Sequence, residues 1–237
     1  MPLNNLLTNI DNGIPVPKPK AVMSWSSGKD SAFALHQAKL AGDLDIVAIL
    51  TSLNSDAERV SMHGVREQLL DAQSDVLGLP IIKVNLPERC SNEIYEREMA
   101  KACDQMLADG VSHLIFGDLF LQDIRDYRIK MLDGTGLSPV FPIWGMDTAT
   151  LAQDMIASGM KAQLTCIDTK VLNDGFSGRL FDQALLDELP AKVDPCGENG
   201  EFHTFCFAGP MYDKEISVEP GERHRAGDFL FTDLRRA

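Results

Sequence analysis

No pair of the form Cys-x-x-Cys occurs among Cys90, Cys103, Cys166, Cys196 and Cys206, the five cysteines of this 237-residue chain. An odd count at scattered spacing speaks against a zinc ribbon and for reduced thiols rather than a disulfide framework. No stretch approaches the roughly 20 apolar residues of a membrane span, and Met1 to Lys20 lacks the apolar centre of a signal peptide. The chain is therefore expected in the cytoplasm, with no membrane partner. Residues 1–19 read as a flexible tail, extended by Pro15, Pro17 and Pro19. Positive charge is scarce: 22 Lys and Arg stand against 35 Asp and Glu, a formal net charge of −13. That balance disfavours a broad phosphate-binding surface, so nucleic acid is not the expected partner, although a local basic groove is compatible with it. Internal repeats and low-complexity segments are absent as well. The hydrophobic content of 44% is ample for a buried core in one large domain or two small ones.

Against these absences stands Ser26-Ser27-Gly28-Lys29-Asp30-Ser31. Ala21 to Trp25 reads as a short buried strand, and Ala34, Leu35, Ala38 and Ala41 repeat at helical spacing before Gly42 closes a helix. The hexapeptide is thus a strand-to-helix turn. Amides at the helix start and the positive end of its dipole would face an anion, Gly28 permits close approach, and Lys29 adds a full charge. An ordinary polar turn with capping Ser and Asp residues is the plainer reading. A Walker loop would need glycine at position 23, which is Met23, and no Gly-x-Gly-x-x-Gly follows the strand. The turn instead resembles the PP-loop of ATP pyrophosphatases, usually Ser-Gly-Gly-Lys-Asp-Ser, with Ser27 in place of the first glycine. Such enzymes split ATP between the α and β phosphates and hold pyrophosphate in this loop. The exchange at position 27 matters only if that residue requires a positive φ.

Downstream, Ile46–Leu50, Ile81–Val84 and His113–Phe116 read as strands alternating with helices marked by Val65, Leu69, Ala72 and Val76 and by Tyr95, Met99, Ala102, Cys103 and Met106. This predicts an α/β fold, a doubly wound parallel sheet with ligands beyond the carboxyl ends of its strands, where the first turn and Gly117-Asp118 both fall. A helix is expected from about Leu119 to Met131. Gly134, Gly136 and the segment Pro139 to Gly145 then mark a boundary between a nucleotide domain at 20–145 and a smaller α+β domain at 146–237. In the latter, Asp147 caps a helix ended by Gly159, and Ala162 to Ile167 is a strand.

A second constellation, Cys196-Gly197-Glu198-Asn199-Gly200-Glu201-Phe202-His203-Thr204, packs two glycines, two carboxylates, an imidazole and a hydroxyl into nine residues. A solvated Gly-rich connection is the plain reading. A metal site of Glu198, Glu201 and His203 is a weaker one, because the spacing follows no helical zinc motif. Together with Ser26–Ser31, Gly117-Asp118, Arg125, Arg128, Pro142-Ile143-Trp144-Gly145 and Gly209-Pro210-Met211-Tyr212, this motif resembles the diphthine–ammonia ligase family from about Lys20 to Ile216, in its compact form. The resemblance implies an adenine nucleotide α-hydrolase-like (HUP) ATP-pyrophosphatase domain and an acceptor-binding domain. It also implies an AMP-forming amide ligase that adenylates diphthine, a modified histidine of elongation factor 2, and amidates it with ammonia. Another carboxylate acceptor and a homodimer both stay open.

In that scheme Ser26, Ser27, Gly28, Lys29, Asp30 and Ser31 bind ATP and pyrophosphate, with Lys29 screening charge and Asp30 either reaching Mg2+ or serving the helix start. Gly117, Asp118, Arg125, Arg128, Gly197, Glu198, Gly200, Glu201 and Thr204 face the acceptor. Glu201 or His203 is the candidate base. His63 at a helix start could reach the crevice, and the Cys196 thiol is left out of catalysis. Two other classes compete: an ATP-binding regulator of universal-stress type without turnover, and a PP-loop enzyme that modifies tRNA. The second motif opposes the first, and acidity with cysteine spacing opposes the second.

Overall fold

The structure is a computed structural model and describes residues 10–11, 14–15, 17–54, 59–60, 64–87 and 90–237. His63 and most of the expected tail lie outside the described residues. Within the tail, Ile10–Asp11 and Ile14–Pro15 pair as short antiparallel strands.

The first half alternates strand and helix. β1 (Lys20–Ser24) leads to α1 (Lys29–Ala41), β2 (Asp45–Asn54) to α2 (Glu67–Leu77), β3 (Ile81–Leu86) to α3 (Asn92–Ala108), and β4 (Val111–Ile115) to α4 (Gln122–Leu132). β5 (Ser138–Val140) follows. These five strands form one parallel sheet in the order β3-β2-β1-β4-β5, and Arg59–Val60 folds back antiparallel on the end of β2. Alternate residues of β1 serve opposite faces. Ala21 and Met23 pack with α1 and α2, whereas Val22 packs with Met99, Cys103 and Met106 of α3. Helices on both faces make the sheet doubly wound, as its continuous apolar strands predict.

Three details depart from the periodicity. α4 begins at Gln122 with Leu121 at its N-cap, so Asp118 caps nothing and is left in an extended connection. Pro139, expected in a boundary segment, sits in β5, which is tolerable because β5 is the sheet edge and needs fewer ladder donors. Ala41 is exposed, while Lys29, Ser31, Ala32 and Phe33 are buried. α1 is covered on more than one side, because the strand Phe202–Ala208 packs against it from the second half of the chain.

That second half comprises α5 (Thr148–Ala157), β6 (Lys161–Asp168), α6 (Gln183–Glu188), β7 (Phe202–Ala208), β8 (Val218–Ala226) and β9 (Phe229–Arg236). The strands form a separate antiparallel sheet in the order β7-β6-β9-β8. Leu164, Ile167 and Phe205 of this sheet share one apolar cluster with residues of α1, α2 and α5. A bidentate ion pair from Arg66, at the N-cap of α2, to the buried Asp233 of β9 reinforces the junction at 2.6–3.1 Å. Among the described residues all five cysteines are free thiols, and no helix is long and apolar enough to cross a membrane.

Candidate active site

β1 and β4 are neighbours at the centre of the sheet, and their outgoing connections diverge to opposite faces. This is the topological switch point at which a parallel sheet opens a crevice. Ser26–Ser31 occupies the β1 side. Gly28 is the N-cap of α1 and has no side chain with which to cap it, so the first turn opens on the crevice with the Lys29 N–H taken by a hydroxyl from the second motif. The serine hydroxyls brace the loop: Ser31 Oγ donates to the Gly28 carbonyl at 3.0 Å, and the Gly28 N–H donates to Ser26 Oγ at 3.3 Å. Ser27 has φ of +67°, the only positive φ at a non-glycine among the described residues. Serine therefore stands where the backbone favours glycine, and the strain is held by bonds on its carbonyl, which accepts from Cys206 N–H at 2.9 Å and Gln73 Nε2 at 3.0 Å.

Gly117 closes the β4 side. A Cβ there would lie 2.9 Å from the Ser31 nitrogen and 3.0 Å from the Asp30 carbonyl carbon and oxygen. The end of β4 thus touches the first turn of α1 backbone to backbone, and only glycine fits.

Lys29 does not project freely towards solvent. Its side chain is 2% exposed, and its ammonium donates to both Asp30 oxygens at 2.8–2.9 Å and to the Cys196 carbonyl. The rings of Phe181 and Phe202 lie 5.5 and 5.3 Å from it. Burial pulls its pKa down, but Asp30 and other nearby acidic groups outweigh that and raise it, so Lys29 stays charged. The Lys29 N–H donates to Thr204 Oγ1 at 3.1 Å. The second motif is thereby fastened to the first.

Within that motif the two glutamates separate in role. Glu201 is buried and turned inward: Oε1 accepts from Asp194 N–H and Asn199 Nδ2, and Oε2 from Asn199 N–H, each at 3.0 Å. It holds the turn. Glu198 Oε1 accepts from Leu119 N–H at 2.8 Å and Phe120 N–H at 3.4 Å, tying the motif to the loop after β4. Burial pushes its carboxyl up to about 7 against the pull of the Leu119 amide, with Asp30 pushing further in the same direction.

Between these parts lies an open cleft of ≈ 580 Å³, within the range of small-molecule sites. Ser26, Lys29, Asp30, Ser31, Gly117, Asp118, Arg128, Gly197, Glu198, His203 and Thr204 line it. Ser27, Gly28, Arg125, Gly200 and Glu201 do not. The sequence model of the diphthamide synthase N-terminal domain matches residues 19–138, and that of the diphthamide synthase C-terminal domain matches residues 147–237. This chain belongs to the diphthamide synthase family. It is 28% identical over 235 residues to a diphthine–ammonia ligase of Danio rerio, covering 88% of this chain and 90% of that protein. It is 26% identical over 222 residues to the diphthine–ammonia ligases of Homo sapiens and Bos taurus, each covering 83% of this chain and 82% of the relative. The universal-stress and tRNA-modifying readings gain nothing from these matches.

The cleft of this diphthamide synthase relative has a cationic wall beyond Gly117. Arg128 lies over the Phe116 ring at 5.1 Å, with Nε 3.6 Å from Asp118 Oδ2. Neither atom has a hydrogen-bond partner. Burial raises the Asp118 pKa and Arg128 counters it. Arg125, one turn earlier, is instead stacked between Phe141 and Trp144 at 5.3 and 4.7 Å, outside the cleft lining. No group of three His, Cys, Asp or Glu side chains suited to a metal ion exists among the described residues, so Glu198, Glu201 and His203 do not form a metal centre. The buried Cys196 contributes its carbonyl; desolvation raises its thiol pKa, which Lys29 lowers less, so the thiol is no activated nucleophile.

Sequence reading missed three groups. The pairing of Phe181 and Phe202 around the Lys29 ammonium carries no sequence signal. One wall of the cleft, including Leu86, Asn92, Tyr95 and Met99, comes from the end of β3 and from α3. Gln73, fully buried, carries the one available signal: it shares the apolar face of Leu69 and Val76, where an uncharged polar residue is out of place.

Proposed function

We propose that this chain is an ATP-dependent amide ligase that adenylates a substrate carboxylate, releasing pyrophosphate, and transfers the acyl group to ammonia, releasing AMP. The observation that carries the reading is the meeting of the Ser26–Ser31 turn, Gly117-Asp118 and the Gly197–Thr204 motif around one cleft at the switch point of the sheet. In the first step a carboxylate oxygen attacks the α-phosphorus and the bond to the β-phosphate oxygen breaks. The first-turn amides of α1 and the charged Lys29 offset the charge of the departing pyrophosphate. Arg128, pinned on Phe116 and short of a hydrogen-bond acceptor at Nε, supplies a second cation that brings two anionic reactants together. Asp118, whose Oδ2 lacks a donor, and Asp30 beside it in the cleft would hold the magnesium that accompanies ATP, and its charge would neutralise the phosphate oxygens.

In the second step the ammonia nitrogen attacks the acyl carbon, AMP leaves, and one proton must go to the protein or to water. Glu198 suits that task, with Oε1 held by two amides, its other oxygen free and a pKa near neutrality; His203 shares the cleft lining. Glu201, whose oxygens are engaged by N–H groups, supports these two from behind. The relatives are named diphthine–ammonia ligases, so diphthine on elongation factor 2, in the cytoplasm, is the first acceptor to try. Incubation with ATP, ammonium and candidate carboxylates tests the reading by ATP–pyrophosphate exchange and product analysis. AMP with pyrophosphate supports it; ADP, or tight nucleotide binding with no turnover under any acceptor, refutes it.

A further inference from the structure

The geometry points to Gln73 as the positioning residue of the anion loop, a role that rests on the proposed function and deepens it. Gln73 is fully buried on α2, away from the cleft lining, and its carboxamide serves four partners. Its Oε1 accepts from Trp25 Nε1 at 2.8 Å. Its Nε2 donates to the Ser27 carbonyl at 3.0 Å, to the Cys206 carbonyl at 2.7 Å and, more weakly, to Tyr212 Oη at 3.2 Å. The indole bond fixes which end of the amide faces the loop, so the donor end cannot turn away from Ser27.

The need for such a clamp follows from Ser27. At φ of +67° an L-residue with a Cβ is held in the left-handed region against its preference. Released, it would relax towards negative φ and swing the peptide planes on both sides, including the amide that leads into Gly28 and the first turn of α1. Two donors on the Ser27 carbonyl oppose that, the Cys206 N–H and the Gln73 amide. Cys206 is itself held by Gln73 through its carbonyl, where Tyr212 Oη also donates at 3.1 Å. Removing the carboxamide therefore loosens both restraints. Gln73 acts through Ser27 on the orientation of the amides that meet pyrophosphate, and touches no reactant.

Glycine at position 27 offers a separating test, because it occupies the same φ without strain. Gln73→Met keeps length and volume and deletes the donors; with Gln73→Glu, which puts an acceptor where the donor was, it is compared with parent, Ser27→Gly and the double variants. Pyrophosphate affinity is read by titration calorimetry, KM for ATP and kcat by pyrophosphate exchange, and Tm without ligand. A positioning role gives at least a tenfold loss of pyrophosphate affinity and a matching rise in KM for ATP in Gln73→Met, largely recovered in Ser27→Gly/Gln73→Met. It also gives a smaller gain in Tm from Ser27→Gly in the Gln73→Met background than in the parent. Additive effects in both cycles, or affinity within twofold of parent, overturn it. Should Gln73→Met fail to fold, Gln73→Glu is scored by the same criteria. A parent that binds no pyrophosphate sinks the proposed function, while the ligand-free Tm cycle still decides whether Gln73 holds Ser27.

Discussion

Gly117→Ala puts one methyl group into the tightest joint of the molecule. Its Cβ would lie 2.9–3.0 Å from three main-chain atoms of Asp30 and Ser31, where ordinary contact begins at 3.4 Å. No flexible side chain can give way, so the end of β4 and the first turn of α1 must part by about 0.5 Å, an overpacking that costs about 1–3 kcal/mol. For a chain of this size each kcal/mol lowers Tm by about 2–4 °C, so a fall of about 4–8 °C is expected from the middle of that range. The functional loss is larger in proportion, because the displaced atoms include the first-turn amides proposed to meet pyrophosphate. A misplacement of ~1 Å costs on the order of 100-fold in rate, so half of that implies roughly tenfold or more in kcat/KM for ATP. Thermal melting and pyrophosphate exchange measure the two effects. Gly175→Ala is the comparison: its Cβ would meet the Asn173 side chain at 2.9 Å, outside the cleft lining, and it should disturb stability alone. If Gly117→Ala melts with the parent and keeps turnover within about twofold, the close approach at the switch point is not what shapes the site.

Lys29→Ala should abolish pyrophosphate release and also lower Tm, because it strands the Asp30 carboxylate and the Cys196 carbonyl; Lys29→Arg should not restore activity, since a planar guanidinium does not fit between Phe181 and Phe202. Full turnover in Lys29→Ala, followed by pyrophosphate release, removes the phosphate assignment. Glu198, with a carboxyl raised from 4.5 to about 7, binds its proton more tightly folded than unfolded, so its contribution to stability is complete below about 4.5 and is lost as pH rises through about 7. Glu198→Gln should therefore gain Tm relative to the parent at pH 8 and not at pH 4, and should flatten the rise of activity through neutrality; a parallel pH–Tm curve in the two proteins contradicts the raised pKa.

Most of the first half of the fold could be read from sequence because its signals are local. Ala21–Met23 and Ile46–Leu50 are continuous apolar runs of the kind a parallel strand requires, and glycines mark the ends of α1 and α2. The second half was harder for a physical reason. β8, Val218–Ala226, is an edge strand with most of its side chains exposed, so Glu219, Glu222, Arg223 and Arg225 leave no alternation to detect. At the site, the motifs showed which residue types gather but not which way they face. Glu198 and Glu201 are both carboxylates of one glycine-rich turn, yet one faces the cleft and the other the turn, because only Glu201 has Asp194 and Asn199 N–H groups behind it. Arg125 and Arg128 likewise share a helix and divide between an aromatic stack and the cleft.

The links that assemble the site explain why side-chain chemistry alone could not place it. Thr204 Oγ1 meets the Lys29 main-chain N–H, the Cys206 N–H meets the Ser27 carbonyl, and the Lys29 ammonium meets the Cys196 carbonyl. Each joins a residue of the first turn to one more than 165 positions away, and each uses at least one main-chain atom, which no residue type announces. Because buried main-chain groups must be paired, the loop and the Cys196–Cys206 segment complete each other's hydrogen bonding. The strained Ser27 is affordable only in that completed state. The Ser26–Ser31 turn is thus not a preformed module to which a second domain was added; its geometry and the fastening of the two halves are one and the same set of bonds.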